Sequence, residues 1–190
     1  MEAGPLPDSS GIDCVSILGP SVSEPPWWGR SKMYYSHILS DQRDSVHVWI
    51  PPDDGQVTPE TPGAVRLRLE VSSTGMRALD GSAHEHGRID RKFPKVCYTM
   101  HRDGNLIWKL SARSLVRRRH AVEFASPDKW LFHTPFYWWM NILGVRNGEI
   151  KVLGRVGPSK WIWHLYIDPE CDNLDLLSLL ALMHRNWWRS

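Results

Sequence analysis

Apolar and polar residues alternate along much of this chain, and the alternation breaks at its end. In AVRLRLEVS (64–72), Val65, Leu67, Leu69 and Val71 fall on one side, and Arg66, Arg68 and Glu70 on the other. That period of two predicts a half-buried strand. KVCYTMHRDGNLIWKLS (95–111) places two such runs around Arg102-Asp103-Gly104, where Asp-Gly supplies the positive φ of a tight hairpin. HAVEFASPDKWLFH (120–133) repeats the plan around Ser126-Pro127-Asp128. GEIKVLGRV (148–156) and KWIWHLYI (160–167) are joined by Gly157-Pro158-Ser159. SVHVWI (45–50) is a further strand, stopped by Pro51-Pro52. Short strands with turn residues at regular intervals predict an antiparallel sandwich or barrel, and closure into a barrel removes exposed sheet edges.

The last segment, NLDLLSLLALMHRNWWRS (173–190), is different. Leu174, Leu176, Leu177, Leu179, Leu180 and Leu182 leave almost no polar face, with only Asp175 and Ser178 among them. A helix apolar nearly all round must be wrapped by protein. Its apolar run, 174–183, spans about 15 Å at 1.5 Å per residue, too short for a bilayer core of about 30 Å. The expectation is a buried helix over about 172–187, capped by Asp172 and plugging a closed sheet through Leu176, Leu177, Leu179, Leu180 and Met183.

This order of elements resembles the tubby C-terminal-like superfamily, and within it the LURP-one-related branch of fungal type. The resemblance rests on MHRDGNLIWKLSARSLVRRRHAVEFASPDKWLFH (100–133) and on WHLYIDPECDNLDLLSLLALMHRNWW (163–188). The first resembles that family's Asp-x-Gly hairpin, here shortened to Asp103-Gly104, with its basic link and second turn. The second resembles its final strand, Pro-x-x-Asp turn and Leu-rich helix. The likeness covers roughly 95–188 and does not extend to 1–29. It implies an all-β fold with one helix: a closed antiparallel β-barrel surrounding a hydrophobic C-terminal α-helix.

Outside the match, residues 1–29 carry Pro5, Pro7, Pro20, Pro25 and Pro26 among Ser and Gly, and read as a flexible arm before a barrel domain over 30–190. Residues 73–94 show no apolar period and read as a long loop. Eleven Trp in 190 residues add to the β tendency. Three widely spaced cysteines, Cys14, Cys97 and Cys171, argue against a disulfide framework and for a reducing compartment. The start of the chain lacks the pattern of a signal peptide. The expected location is cytoplasmic, peripheral at a membrane or with the nucleus as an alternative.

Charge is uneven. Residues 1–90 hold 7 Lys/Arg against 13 Asp/Glu, whereas 91–119 hold 9 against Asp103 alone. Such a concentration suits an anionic partner, and the resemblance to tubby domains implies phosphoinositide binding beside the barrel. The candidate anion- and lipid-binding residues are Lys109, Arg113, Arg117, Arg118 and Arg119; VRRRH (116–120) stands out because consecutive Arg residues repel. Solubilising charge on the outer strand positions is the simpler alternative. The aromatic run from Phe136 to Met140 is a candidate protein-partner surface. Nucleic acid is a less favoured partner, because the aromatics near the basic segment alternate inward and are not free to stack on bases.

The residues point away from an enzyme. His84 and His86 in HEHGRID (84–90) are two apart, not at the i, i+4 spacing of zinc hydrolases, and read as a solvated loop. Cys97 and His101 lack a second ligand pair. No nucleophile elbow or P-loop is present. No metal, cofactor or catalytic residue is expected.

Overall fold

The computed structural model describes residues 28–39, 45–52, 63–92, 97–114, 119–124, 129–133, 140–146, 149–157 and 162–188. Within them lie twelve strands: β1 (Lys32–Leu39), β2 (Ser45–Ile50), β3 (Ala64–Ser72), β4 (Gly75–Asp80), β5 (Glu85–Lys92), β6 (Cys97–Arg102), β7 (Asn105–Ser114), β8 (Arg119–Phe124), β9 (Lys129–His133), β10 (Met140–Arg146), β11 (Glu149–Gly157) and β12 (Ile162–Ile167). One α-helix follows, α1 (Leu174–Trp188). Every strand pairs antiparallel with its neighbours in sequence, and β1 also pairs with β12, from Lys32↔Ile167 to His37↔Ile162. The order therefore returns to its start as a closed barrel.

The hairpins follow from local chemistry. Asp103 and Gly104, at φ 51° and 79°, form the two-residue turn between β6 and β7, with Arg102 opposite Asn105. Both positive angles suit the right-handed twist of a hairpin, and glycine takes the second without a Cβ penalty. The arm and the links carrying Trp27, Lys95, Arg117, Arg118 and Phe136–Trp139 lie outside the described residues.

The expected loop over 73–94 is instead two strands, β4 and β5, joined at residues 81–84. Their pattern is concealed by Gly87, which faces inward. A Cβ there would sit 2.5 Å from Met100 Cε, so the neighbouring methionine fills the place of its side chain. In β5 only Ile89 then remains as an apolar marker of the inner face.

Inward side chains surround α1. Val46, Val48, Leu67, Leu69, Ile89, Met100, Trp108, Ile142, Trp163, Leu165 and Ile167 are all fully buried. The helix answers with Leu176, Leu177, Leu179, Leu180, Ala181 and Leu182, each at 0% exposure, and Met183 at 7%. Burial that complete on successive residues leaves no solvent face, as the sequence pattern requires. The cap differs from expectation. Asn173 Oδ1 accepts from Leu176 N (2.8 Å), which makes Asn173 the N-cap. Asp172 instead accepts a hydrogen bond from Tyr34. No helix among the described residues is long and apolar enough to cross a membrane.

Leu180→Ala is expected to cost about 2–5 kcal/mol, the range for a truncated buried leucine. Leu180→Asp is expected to abolish the cooperative thermal transition, because it buries an unpaired charge. Calorimetry of both variants checks this; an unchanged melting temperature for Leu180→Asp contradicts the buried position of the helix.

Candidate functional site

Polar side chains on α1 reach the wall at both ends of the helix. At its N-terminal end, Asp175 accepts from His86 Nε2 on β5 (2.7 Å) and from Arg102 Nη2 on β6 (2.9 and 3.1 Å to its two oxygens). A carboxylate in the first turn also opposes the positive end of the helix dipole. Burial pulls the Asp175 carboxyl upward, but the His86 hydrogen bond and the Arg102 charge outweigh it and hold it below its ordinary value. Just before the helix, Tyr34 OH donates to Asp172 (2.8 Å). Burial first, and this carboxylate second, raise the Tyr34 phenol above its usual value.

Midway, the Ser178 hydroxyl bonds back to the Asp175 carbonyl (2.8 Å) and accepts from Trp108 Nε1 (3.3 Å). Toward the C-terminal end, His184 Nδ1 lies 2.8 Å from Ser36 Oγ, and its ring stacks on Trp163 at 4.5 Å. Tyr98 OH donates to Asn186 (3.2 Å).

The Ser36–His184 pair has the spacing of a nucleophile and its base. Both side chains are at 0% exposure, so no substrate reaches them. Burial, and then the proximity of His37, lower the His184 pKa to about 3. The ring is therefore neutral at physiological pH, and the pair acts as an internal anchor.

The sequence-predicted anion site divides. Lys109 pairs with Glu123 across β7 and β8 at 3.6 Å, which neutralises it locally. Arg102 belongs to the helix anchor. Arg113 lies near the end of β7, and Arg119 opens β8 opposite Ser114. Arg117 and Arg118 lie outside the described residues, as do Phe136–Trp139; Met140 begins β10. Arg91 and Lys92, from the same basic segment, are exposed at the end of β5. The register Lys92↔Cys97↔Ser111 and Ser114↔Arg119 brings the ends of β5, β6, β7 and β8 together at the helix C-terminal end. There Arg91 also lies over the Tyr98 ring at 6.0 Å.

The two histidines of HEHGRID separate. His84 is exposed and beside Asp80 (3.5 Å), whereas His86 points in toward the helix and does not belong to a solvated loop. Cys97 is half-buried beside Ser111 Oγ (3.9 Å), and His101 lies 3.7 Å from Asp90. Among the described residues no three His, Cys, Asp or Glu side chains are grouped to hold a metal ion. Sequence reasoning missed His86, Tyr34, Ser36 and His184 as anchors. The available indication was that the few polar residues of an enclosed helix need inward-facing partners.

No protein-family model, curated protein or solved structure matches this chain.

The His184 ring sets a pH dependence. Its folded pKa lies below its unfolded value near 6.5, so the unfolded chain binds the extra proton between those values. Its stabilisation is complete above pH 6.5 and is lost progressively as pH falls toward 3. Wild type is expected to lose melting temperature over this range more steeply than His184→Gln. Equal slopes contradict a buried neutral His184. Separately, Arg102→Ala is expected to cost about 1 kcal/mol, a value reduced by partial exposure of the pair, with a chemical denaturation midpoint as the readout.

Proposed function

We propose that this chain is a non-enzymatic binding module of the tubby C-terminal-like, LURP-one-related type. In this reading it offers a basic barrel end to an anionic membrane surface, with phosphoinositide headgroups as the ligand class. One observation carries the reading: the adjoining ends of β5–β8 bring the positions of Arg91, Lys92, Arg113 and Arg119 to one end of the barrel, with Asp90 the acid beside them on β5. A helix clamped to the wall along its length supports it further, because a rigid frame holds charges at fixed spacing for a multivalent headgroup. The fold assignment itself draws on the Asp103-Gly104 hairpin and the order of final strand, turn and enclosed helix.

The test is co-sedimentation with vesicles containing phosphatidylinositol bisphosphate, against phosphatidylserine vesicles of matched charge. Each basic residue near an anionic surface contributes about 1 kcal/mol. The triple variant Lys92→Ala/Arg113→Ala/Arg119→Ala is therefore expected to bind roughly a hundredfold more weakly. Equal binding by the variant, or no binding of wild type to either vesicle, contradicts the proposal. Preference for single-stranded nucleic acid over vesicles supports the alternative, a nucleic-acid partner at the same residues.

A further inference from the structure

The chain holds three Asp-Gly dipeptides, at 54–55, 80–81 and 103–104. The first lies outside the described residues. The other two lie in the β4–β5 and β6–β7 connections, and the fold holds them in opposite ways. Such a pair is chemically vulnerable, because a glycine amide has no Cβ to shield it from the carboxyl group one residue before.

Asp80 is pinned. Its Oδ1 accepts from Ser82 N (2.8 Å) and His84 N (2.9 Å), and its Oδ2 lies 3.5 Å from His84 Nδ1. These contacts, the bond from His84 N foremost, hold its carboxyl below the ordinary carboxylate value. An ionised carboxylate is a poor target for an amide nitrogen. Gly81 is packed as well: a Cβ on it would collide with the Val65 carbonyl.

Asp103 is open. It and Gly104 are exposed at the two central positions of the β6–β7 turn, at φ 51° and 79°. The closing bond of such a turn joins the residues on either side, here Arg102 and Asn105, and leaves the Gly104 N–H outside the ladder. Asn105 Nδ2 reaches the Asp103 carbonyl (3.4 Å) and not its carboxylate. A Cβ placed on Gly104 would have nothing within 4 Å, so no neighbouring element ties the turn down.

We propose that Asp103-Gly104 is a site of spontaneous covalent modification, cyclising to a succinimide and reopening to isoaspartate, and that the change is transmitted to α1 through Arg102. In the first step Gly104 N attacks Cγ of the un-ionised Asp103 carboxyl. The N–Cγ bond forms, the Cγ–OH bond breaks, and the amide proton leaves with that hydroxyl as water. Water then opens the ring. Attack at Cγ restores aspartate, whereas attack at the main-chain carbonyl breaks its bond to Gly104 N and routes the chain through Cβ and Cγ. No oxidant or further reactant is needed, and the mass is unchanged. The product carries one extra methylene in the backbone immediately after Arg102, whose Nη2 holds Asp175 of α1 at 2.9 and 3.1 Å. A turn lengthened there no longer matches the Arg102↔Asn105 register. The proposal is independent of the binding role given to the basic barrel end.

The test ages the full chain at neutral pH, folded and in denaturant, and locates isoaspartate by peptide mapping with electron-transfer fragmentation. The folded chain is expected to accumulate isoaspartate at Asp103 and none at Asp80, whereas in denaturant both convert. Absence of isoaspartate at Asp103 in the folded chain, or conversion of Asp80 at an equal rate, overturns the site. Asp103→Gly keeps a turn of the same type and has no carboxyl to cyclise. The chemical denaturation midpoint of aged wild type is expected to fall toward that of Arg102→Ala, and that of aged Asp103→Gly to stay at its fresh value. A wild-type midpoint unmoved by conversion, or an equal fall in both proteins, overturns the link to α1.

Discussion

Enclosure of α1 is the constraint on which the rest of the structure depends. A fifteen-residue helix with leucine on nearly every side gains nothing from a single flat sheet, because half its surface would remain in water. Only a wall on all sides removes that surface. The closed order of twelve strands supplies it, and the helix in turn fills an interior that the inward side chains of the strands leave open. Neither part buries its apolar face without the other.

Apolar burial has no direction, so it does not by itself fix the depth or rotation of the helix. The polar contacts do. Asp175 meets Arg102 and His86 near one end, Ser178 meets Trp108 in the middle, and His184 and Asn186 meet Ser36 and Tyr98 toward the other. Each joins residues at least seventy positions apart in sequence. Sliding α1 by one residue would break them together and leave buried groups unpaired, at a cost of about 1–3 kcal/mol each. This arrangement gives the frame one defined register, which any surface site on it inherits.

The parts legible in the sequence are those where one residue type implies one position. Strict alternation in 64–72 marked β3, Asp103-Gly104 marked a hairpin, and the leucine run marked an enclosed helix. Where inward positions are small or polar the period disappears. Ser36 faces the interior of β1 because His184 is there to receive it, and Gly87 faces inward because Met100 occupies its space. The segment that holds β5 consequently reads as a loop, and β1 carries no strict apolar alternation to mark it. The helix cap shifted from Asp172 to Asn173 because Tyr34, 138 residues away in sequence, holds the aspartate. The candidate site was less legible still. Arg102 and Lys109 belong by count to a basic segment, but long-range pairing gives them acidic partners in Asp175 and Glu123, and no local pattern encodes that.

Amide hydrogen exchange tests the central claim, that helix and wall form one cooperative unit, most directly. The account predicts that the amides of residues 177–184 and those of the inner positions of β2, β3 and β6 share the same slow exchange, governed by global unfolding. Exchange of the helix amides orders of magnitude faster than that of the strands would mean that α1 leaves a sheet that stands without it, and would contradict the account.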